Sequence, residues 1–512
     1  MFSRTNTVAP VPRPEGDTPT APPGSSAQTA ATGMVWASAA VIVSKLMSFL
    51  CQILLGYILA VESYAVFGIV ATAAALVGGF QNSGVSRVLI QRHRHFAELL
   101  PDFSAFALYF GILGTATLVV IGFAFERIYH IENLAWVISI TSLTVFIIPV
   151  NAIQMAALGI RYKFREINLV EIKRSFIYYV VLIGAALAGA AYFTMAIALV
   201  AGTLAHFFLL KSQTPDTRMN VKLSGQQFIK IAWELRLVIL TAFLLSLAMR
   251  ADFLALSGLI SIEDLGYYTF GFMLVTSITI PLSAGINQVF LPVFSRLQAN
   301  QEQLHREIPR YSACVVVLGA ALTLVLVGLS APLIHLIWAG KWDPAVVVIA
   351  AVATAMPFRF LSTIAAAGLE SYGKWGTRIA LLSLDTLLLF FGAILGASIL
   401  GLPGAALCAA LQRAISGVIG YLVLARTGKL GLARLAVFFL RLYTPFILSV
   451  ALLFALDSAR FGLDVASASL GASSLHTLLA LGLFLLLTAA LNYATFMSIS
   501  GFVRTIAKRR AG

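Results

Sequence analysis

Charge is scarce in this sequence. Only 11% of its 512 residues are Asp, Glu, Lys or Arg, where a soluble domain carries about 25%. So little charge cannot clothe the three or four soluble domains that this length would otherwise suggest. Cytosolic nucleotide-binding enzymes, secreted scaffolds and nucleic-acid binders are set aside together. Cysteine is nearly absent. Cys51, Cys314 and Cys408 lie inside apolar stretches without CxxC or Cys/His spacing, which excludes a disulfide framework and a thiolate metal site. The seven histidines, His93, His95, His130, His206, His305, His335 and His476, have no second His or carboxylate at metal-ligand spacing. No GxxxxGK[ST] loop is present, so ATP hydrolysis by the chain itself is not expected. No metal, cofactor or nucleic acid is implied. A long polar external loop is missing as well, which argues against a membrane-embedded glycan polymerase or ligase.

Apolar residues take that place: 60% of the chain is hydrophobic and the mean hydropathy is +0.93. From Met34 onward this excess falls into runs of about 20 residues, the length at which an α-helix crosses the hydrocarbon core. The expected spans are 34–59, 64–91, 102–125, 133–160, 168–189, 191–211, 230–259, 265–295, 311–337, 344–370, 376–398, 402–425, 436–456 and 472–499. Fourteen transmembrane helices of an all-α integral membrane protein follow. Continuous runs of this kind do not fit barrel strands, which alternate over about 10 residues. Residues 1–30 are rich in proline and lack apolar periodicity, so a disordered tail is expected there; a secretory signal is not, because the first apolar run begins far in and is too long.

Basic residues sort to one side. Arg92, Arg161, Lys163, Lys211, Arg296, Lys374 and Arg426 fall in loops joining even to odd helices. The opposite loops carry only Arg127, Lys341 and Arg460 and are acidic instead, with Glu62, Glu126, Glu263, Asp264 and Asp343. The positive-inside rule then places both termini in the cytoplasm. The net charge of +14 is read as a topology signal rather than an affinity for nucleic acid. An internal repeat is visible as well: Ala60–Phe67 corresponds to Ser261–Tyr268 at an offset of 201 residues. It divides the chain into a six-helix bundle over 31–212, a second over 213–428, two additional helices over 429–500 and a basic tail over 501–512. Repeats of this size build many secondary transporters, with the substrate path between the halves.

Ionisable groups at helix centres cost about 2.5–3.5 kcal/mol each on insertion scales, which makes them functional candidates. They are Lys45, Arg250, Asp252, Arg359, Asp385 and Arg413. Arg359 follows Pro357 and either serves a carbonyl freed by that proline or lines a cavity. Arg250 either pairs with Asp385 or faces the substrate path; Asp252, two residues away, points to another face. Asp385 is the deep carboxylate best placed for coupling to protons or Na⁺, or is a counter-ion. Gln81, Asn82, Asn151, Gln154, Asn287 and Gln288 are amides that either bind sugar hydroxyls in a wet cavity or join helices to one another.

Three stretches look familiar. Asp252–Gly258 running on through Glu263–Tyr268 to Pro292–Leu297, Ala157–Arg165, and Ser83–Arg92 resemble the corresponding segments of bacterial polysaccharide exporters, the Wzx-type lipid-linked oligosaccharide flippases. The resemblance spans Met34 to the C-terminus. It implies a multidrug-exporter-like fold, two six-helix bundles in an inverted V around a vestibule plus two C-terminal helices, in the bacterial inner membrane. It further implies transport of an undecaprenyl-diphosphate-linked oligosaccharide between leaflets by alternating access, without catalysis, among membrane lipids and alongside a polysaccharide polymerase and chain-length or export machinery. A diphosphate entering a low-dielectric cavity needs fixed cations, which Lys45, Arg250, Arg359 and Arg413 could supply. A peptidoglycan-precursor flippase and a cation-coupled multidrug-type exporter of the same fold stand as alternatives. The exporter would be expected to rely on buried carboxylates.

Overall fold

The computed structural model of the protein describes residues 43–45, 47–81, 85–161, 163–215, 217, 220–297, 301–428, 432–456 and 469–511. All regular structure among them is helical. In a bilayer this is the expected solution, since a helix satisfies its own backbone polar groups where no water can. The chain runs through α1 (Val43–Ile58), α2 (Val61–Gln81), α3 (Val85–Gln91), α4 (Phe96–Tyr129), α5 (Leu134–Ile160), α6 (Phe164–Leu187) and α7 (Thr194–Gln213). A second series follows: α8 (Gly225–Leu256), α9 (Ile262–Leu297), α10 (Gln301–Trp338), α11 (Ala345–Thr354), α12 (Met356–Ser371) and α13 (Trp375–Thr427). Last come α14 (Leu432–Leu456) and α15 (Leu470–Ala511).

Local chemistry sets the element ends. At the start of α8 the Ser224 hydroxyl accepts from the Gln227 backbone N–H at 3.2 Å, while the Gln227 side chain accepts from the Ser224 N–H at 3.1 Å. Two orphan donors are thereby satisfied by one reciprocal cap. Between α11 and α12 the chain bends by 43°. Pro357 has no N–H to give to the carbonyl of Ala353, four residues back. That carbonyl accepts instead from the Thr323 hydroxyl of α10 at 2.7 Å. The expected role of Arg359 as a donor to the broken helix is thus taken by a threonine from a neighbouring element.

α13 has 53 residues and turns back on itself at Gly401, whose φ of 61° and ψ of −137° suit glycine alone. Gly396 and Gly404 then face each other so closely that a Cβ on either would run into the other's carbonyl oxygen. The expected separation of 376–398 from 402–425 is therefore achieved by a single glycine reversal.

α2, α4, α5, α6 and α7 pack on one another, as do α8 to α13; α14 and α15 lie against α10, where Gly328 makes room for Thr477. The two groups meet where α2 touches α8 and α9. The repeat detected in the sequence begins these meeting helices: α2 starts at Val61 and α9 at Ile262, and Gly266 lets the backbone of α9 approach the Val61 carbonyl.

Ten of the described helices are long and apolar enough to cross a membrane, or eleven when α11 and α12 form one broken span. The expected count of fourteen is not confirmed. α13 counts once despite its reversal, α6 carries Glu171, Lys173 and Arg174 within its apolar stretch, and α1 is described over a stretch too short to qualify. Within the expected span 64–91 the structure describes α2 up to Gln81 and α3 from Val85.

Gly401→Ala is expected to destabilise the protein by about 1–3 kcal/mol through its backbone conformation alone. The thermal unfolding midpoint in detergent measures this, and an unchanged midpoint would show that the reversal tolerates a side chain.

Candidate functional site

Small residues make a large opening between the two groups of helices. Along one face of α2, Ala71, Ala74, Ala75, Gly78 and Gly79 leave a space of about 590 Å³ against α5, α7 and α8. Thr141, Thr144, Thr203 and Ser246 give this cavity hydroxyls, and Arg250 gives it a charge; no other lining residue is ionisable. The Arg250 guanidinium sits 5.4 Å from the Phe253 ring centre, a cation–π contact that orients it without neutralising it. Among the described residues no carboxylate lies within ion-pair distance of it, so it is not joined to Asp385.

The other deep charges gather within α8 to α13. A separate small cavity of about 40 Å³ is lined by Arg359, Arg413, Asp385 and Gln412 together with Thr276, Thr279 and apolar side chains. Asp252 is fully buried beside it; its carboxylate accepts from the Phe253 N–H at 3.0 Å and from the Tyr268 hydroxyl at 2.8 Å, with an Arg413 nitrogen at 3.9 Å. Arg413 also donates to the Ala409 carbonyl at 2.8 Å and lies over Phe272 at 5.2 Å. Asp385 accepts from the Gln412 amide, which also reaches Ser416 at 3.1 Å. The Arg359 guanidinium donates to the sulfur of Met249 at 3.6 Å. Two arginines and two aspartates balance one another here. The four cations singled out in the sequence do not share one cavity, and Lys45 is exposed on α1, lining neither.

The amides divide. Gln81 donates to the Phe110 carbonyl at 2.8 Å, joining α2 to α4 beside Gly114. Asn151 reaches His206 at 3.4 Å, and the other nitrogen of His206 lies 3.4 Å from Glu171, itself bonded to Arg174 at 2.7 Å. This chain of contacts joins α5, α7 and α6 through a histidine–carboxylate contact between residues distant in sequence. His335 and Asp343 form a second such pair at 2.8 Å. Gln154 is fully buried with both amide atoms unpartnered, Asn287 is half-buried, Gln288 is exposed, and Asn82 lies outside the described residues. No group of three or more metal-binding side chains occurs among the described residues.

A further arrangement escaped the sequence reading. At the acidic end of the bundle the loop after α10 closes over the end of α1. Lys341 donates to the carbonyls of Gly56 at 3.0 Å, Tyr57 at 3.3 Å and Leu59 at 2.6 Å. Trp338 donates to Ile53 and Trp342 to Gly56, both at 3.0 Å. A helix ends in carbonyls without partners and a partial negative charge, and an ammonium among them satisfies both. Burial lowers the proton affinity of Lys341, and Glu62 opposes that shift. Beneath it, Phe270 stacks on Trp342 at 4.0 Å and Tyr64 meets Trp342 edge-on at 4.9 Å. The signal available in the sequence was the lysine itself, flanked by tryptophans in loops that otherwise collect acids.

The chain is thus a helical membrane-spanning protein with a cavity between two helix groups. The chain is a member of the polysaccharide biosynthesis protein family, whose model matches residues 54–347. In fold it is similar to a solved structure described as the lipid II flippase MurJ in an inward closed conformation, with a TM-score of 0.70 and 15% identity over 90% of this chain and 100% of that one. It is similar as well to an inward-facing multidrug resistance MATE family transporter of the MOP superfamily, with a TM-score of 0.57 and 14% identity over 75% of this chain and 94% of that one. A MOP superfamily transporter from Pyrococcus furiosus aligns with a TM-score of 0.52 and 14% identity over 78% and 95% of the two chains. These neighbours are a flippase and transporters, not enzymes. No curated protein matches the chain by sequence.

Removing Asp252 alone leaves Arg413 and Tyr268 facing an empty buried site. Asp252→Ala should cost about 3–5 kcal/mol in detergent stability, while the pair Asp252→Leu with Arg413→Met should recover much of it. A double-variant loss equal to the sum of the losses from changing each side chain alone would show that the two are not coupled. At the seal, Lys341→Met should raise labelling of a cysteine placed at Ala71 by a membrane-impermeant thiol reagent reaching the acidic side, in a background lacking the native thiols. Unchanged labelling would mean that the aromatic cluster closes this end unaided.

Proposed function

We propose that the protein translocates an undecaprenyl-diphosphate-linked oligosaccharide repeat unit from the cytoplasmic to the periplasmic leaflet of the bacterial inner membrane. The product would feed surface polysaccharide or O-antigen synthesis. The observation that carries this reading is the unpaired guanidinium of Arg250, the single charge among the residues lining the large cavity between the helix groups. A diphosphate brings fixed negative charge into a medium of low dielectric, where a planar guanidinium without a carboxylate partner is the appropriate receptor. The surrounding threonine and serine hydroxyls suit its remaining oxygens, and the small residues of α2 leave room for the headgroup.

The cavity meets the membrane-crossing part of α8 near its middle, and Lys341 with its tryptophans binds the end of α1 on the acidic side. With the basic side cytoplasmic, as the loop charges argue, the substrate enters this cavity from the cytoplasmic leaflet. Translocation follows when the seal parts and the cavity closes behind the substrate. Arg359, Arg413, Asp252 and Asp385 serve in this scheme as a balanced set within one helix group. They leave little net charge for an organic cation, and the multidrug-type alternative is correspondingly disfavoured. A polysaccharide polymerase and chain-length or export machinery are the partners this role requires.

The similarity to a lipid II flippase supports a second reading, transport of a peptidoglycan precursor, because the headgroup chemistry is the same. Deletion of the gene separates the two. Accumulation of polyprenyl-diphosphate oligosaccharide by lipid mass spectrometry, with loss of surface polymer and intact peptidoglycan, is the expected outcome; accumulation of lipid II with arrested wall synthesis selects the other. Arg250→Gln should weaken binding of undecaprenyl diphosphate by about 1.5–3 kcal/mol, or roughly ten- to a hundred-fold. Unchanged affinity would remove Arg250 from the site.

A further inference from the structure

The face of α2 that lines the central cavity continues past it. Phe67 stands one helical turn before Ala71 and borders two spaces: the cavity of Arg250, and a second of about 180 Å³ among α1, α2, α6, α7 and α9. The second space differs in chemistry. None of its lining residues carries a carboxylate, an ammonium or a guanidinium; instead Ser48, Gln52, Tyr64, Tyr178 and Tyr179 face one another across it with apolar side chains between. The rings of Tyr178 and Tyr179 meet edge to face at 4.9 Å. In its wall two polar atoms have no hydrogen-bond partner, the amide nitrogen of Gln52 and the hydroxyl of Tyr64, on side chains 8% and 1% exposed. Buried groups of this kind normally have partners, and leaving one unpaired costs about 1–3 kcal/mol.

We infer that this side cavity is a subsite for an uncharged saccharide, the glycan portion of the lipid-linked substrate. The inference rests on the flippase reading and extends it. A sugar ring offers hydroxyls and amides to unpartnered donors and acceptors, and C–H faces to aromatic rings, without requiring charge. Its position fits as well. α2 rises about 1.5 Å per residue, so Tyr64 lies farther toward the sealed end than the Ala71–Gly79 stretch that faces Arg250. A substrate held by its diphosphate at Arg250 would thus extend its glycan ahead of it. Tyr64 also touches Trp342 of the seal, so an occupant of the side cavity would press on a residue that holds that end closed.

The test compares two probes on the full-length protein by native mass spectrometry: undecaprenyl diphosphate, and undecaprenyl diphosphate bearing a single N-acetylhexosamine. The unaltered protein should bind the glycosylated lipid roughly tenfold more tightly, the equivalent of about 1.4 kcal/mol. The double variant Gln52→Met with Tyr64→Phe should lose that preference while binding the bare lipid as before. Because both changes remove unpartnered polar atoms, its thermal midpoint should not fall; that measurement identifies a folding defect, and Gln52→Glu, which places a negative charge in the pocket wall, then provides the same comparison. Equal binding of both lipids by the unaltered protein, or an undiminished preference in correctly folded variants, overturns the subsite and leaves the flippase reading standing. Failure to bind either lipid overturns that reading and the subsite with it.

Discussion

Everything in this molecule answers to the absence of water around its backbone and its few charges. In the hydrocarbon core an unsatisfied carbonyl or an unpaired ion has no solvent to turn to, so each interruption of a helix must be met by a neighbour. Three interruptions are met in three ways. Thr323 supplies the donor that Pro357 withholds from Ala353. Lys341 and two tryptophans take the last carbonyls of α1. Asp252 gathers a backbone amide, a tyrosine and an arginine around one carboxylate. Each of these joins elements distant in sequence, and each thereby also fixes how two helices sit.

The same rule sorts the ionisable side chains by purpose. Where arginine and aspartate balance, as among Arg359, Arg413, Asp252 and Asp385, the charges sit within one helix group and hold its elements in register. Arg250 follows neither pattern: it is held by an aromatic ring and faces open space. A group retained at such cost without a protein partner is best understood through something that arrives from outside. Phe253, which holds Arg250, also packs on Tyr268 of the balanced cluster, so the two charge sites are neighbours across one ring.

Much of the architecture was legible in the sequence. Apolar runs gave the helices, because in a membrane length and composition alone are decisive; the repeat at Val61 and Ile262 marked the two helices that meet. Arg250, Asp252, Arg359, Asp385 and Arg413 stood out because charge is costly at those depths. Their grouping did not. Which of five ionisable residues share a cavity depends on the rotation of each helix, and where helices are apolar on all sides no periodicity reports that rotation. The pairing of His206 with Glu171 was invisible for the same reason. The hairpin at Gly401 was hidden as well, since glycines are common in membrane helices and only one here adopts the reversing conformation. Lys45, which looked deep by position along its helix, lies on an exposed face.

The contact between the starts of α2 and α9 has a mechanical consequence. Gly266 brings two backbones together at the start of α2 and α9, and a joint so close resists sliding more than tilting. α2 has 21 residues, which at 1.5 Å each makes a lever of about 30 Å. A tilt of about 10° at such a fulcrum carries the far end through about 5 Å, by the same helix rise. A movement barely perceptible among the tightly packed aromatics at the start of these helices therefore becomes, at their other end, a change in width comparable to the diameter of a sugar ring.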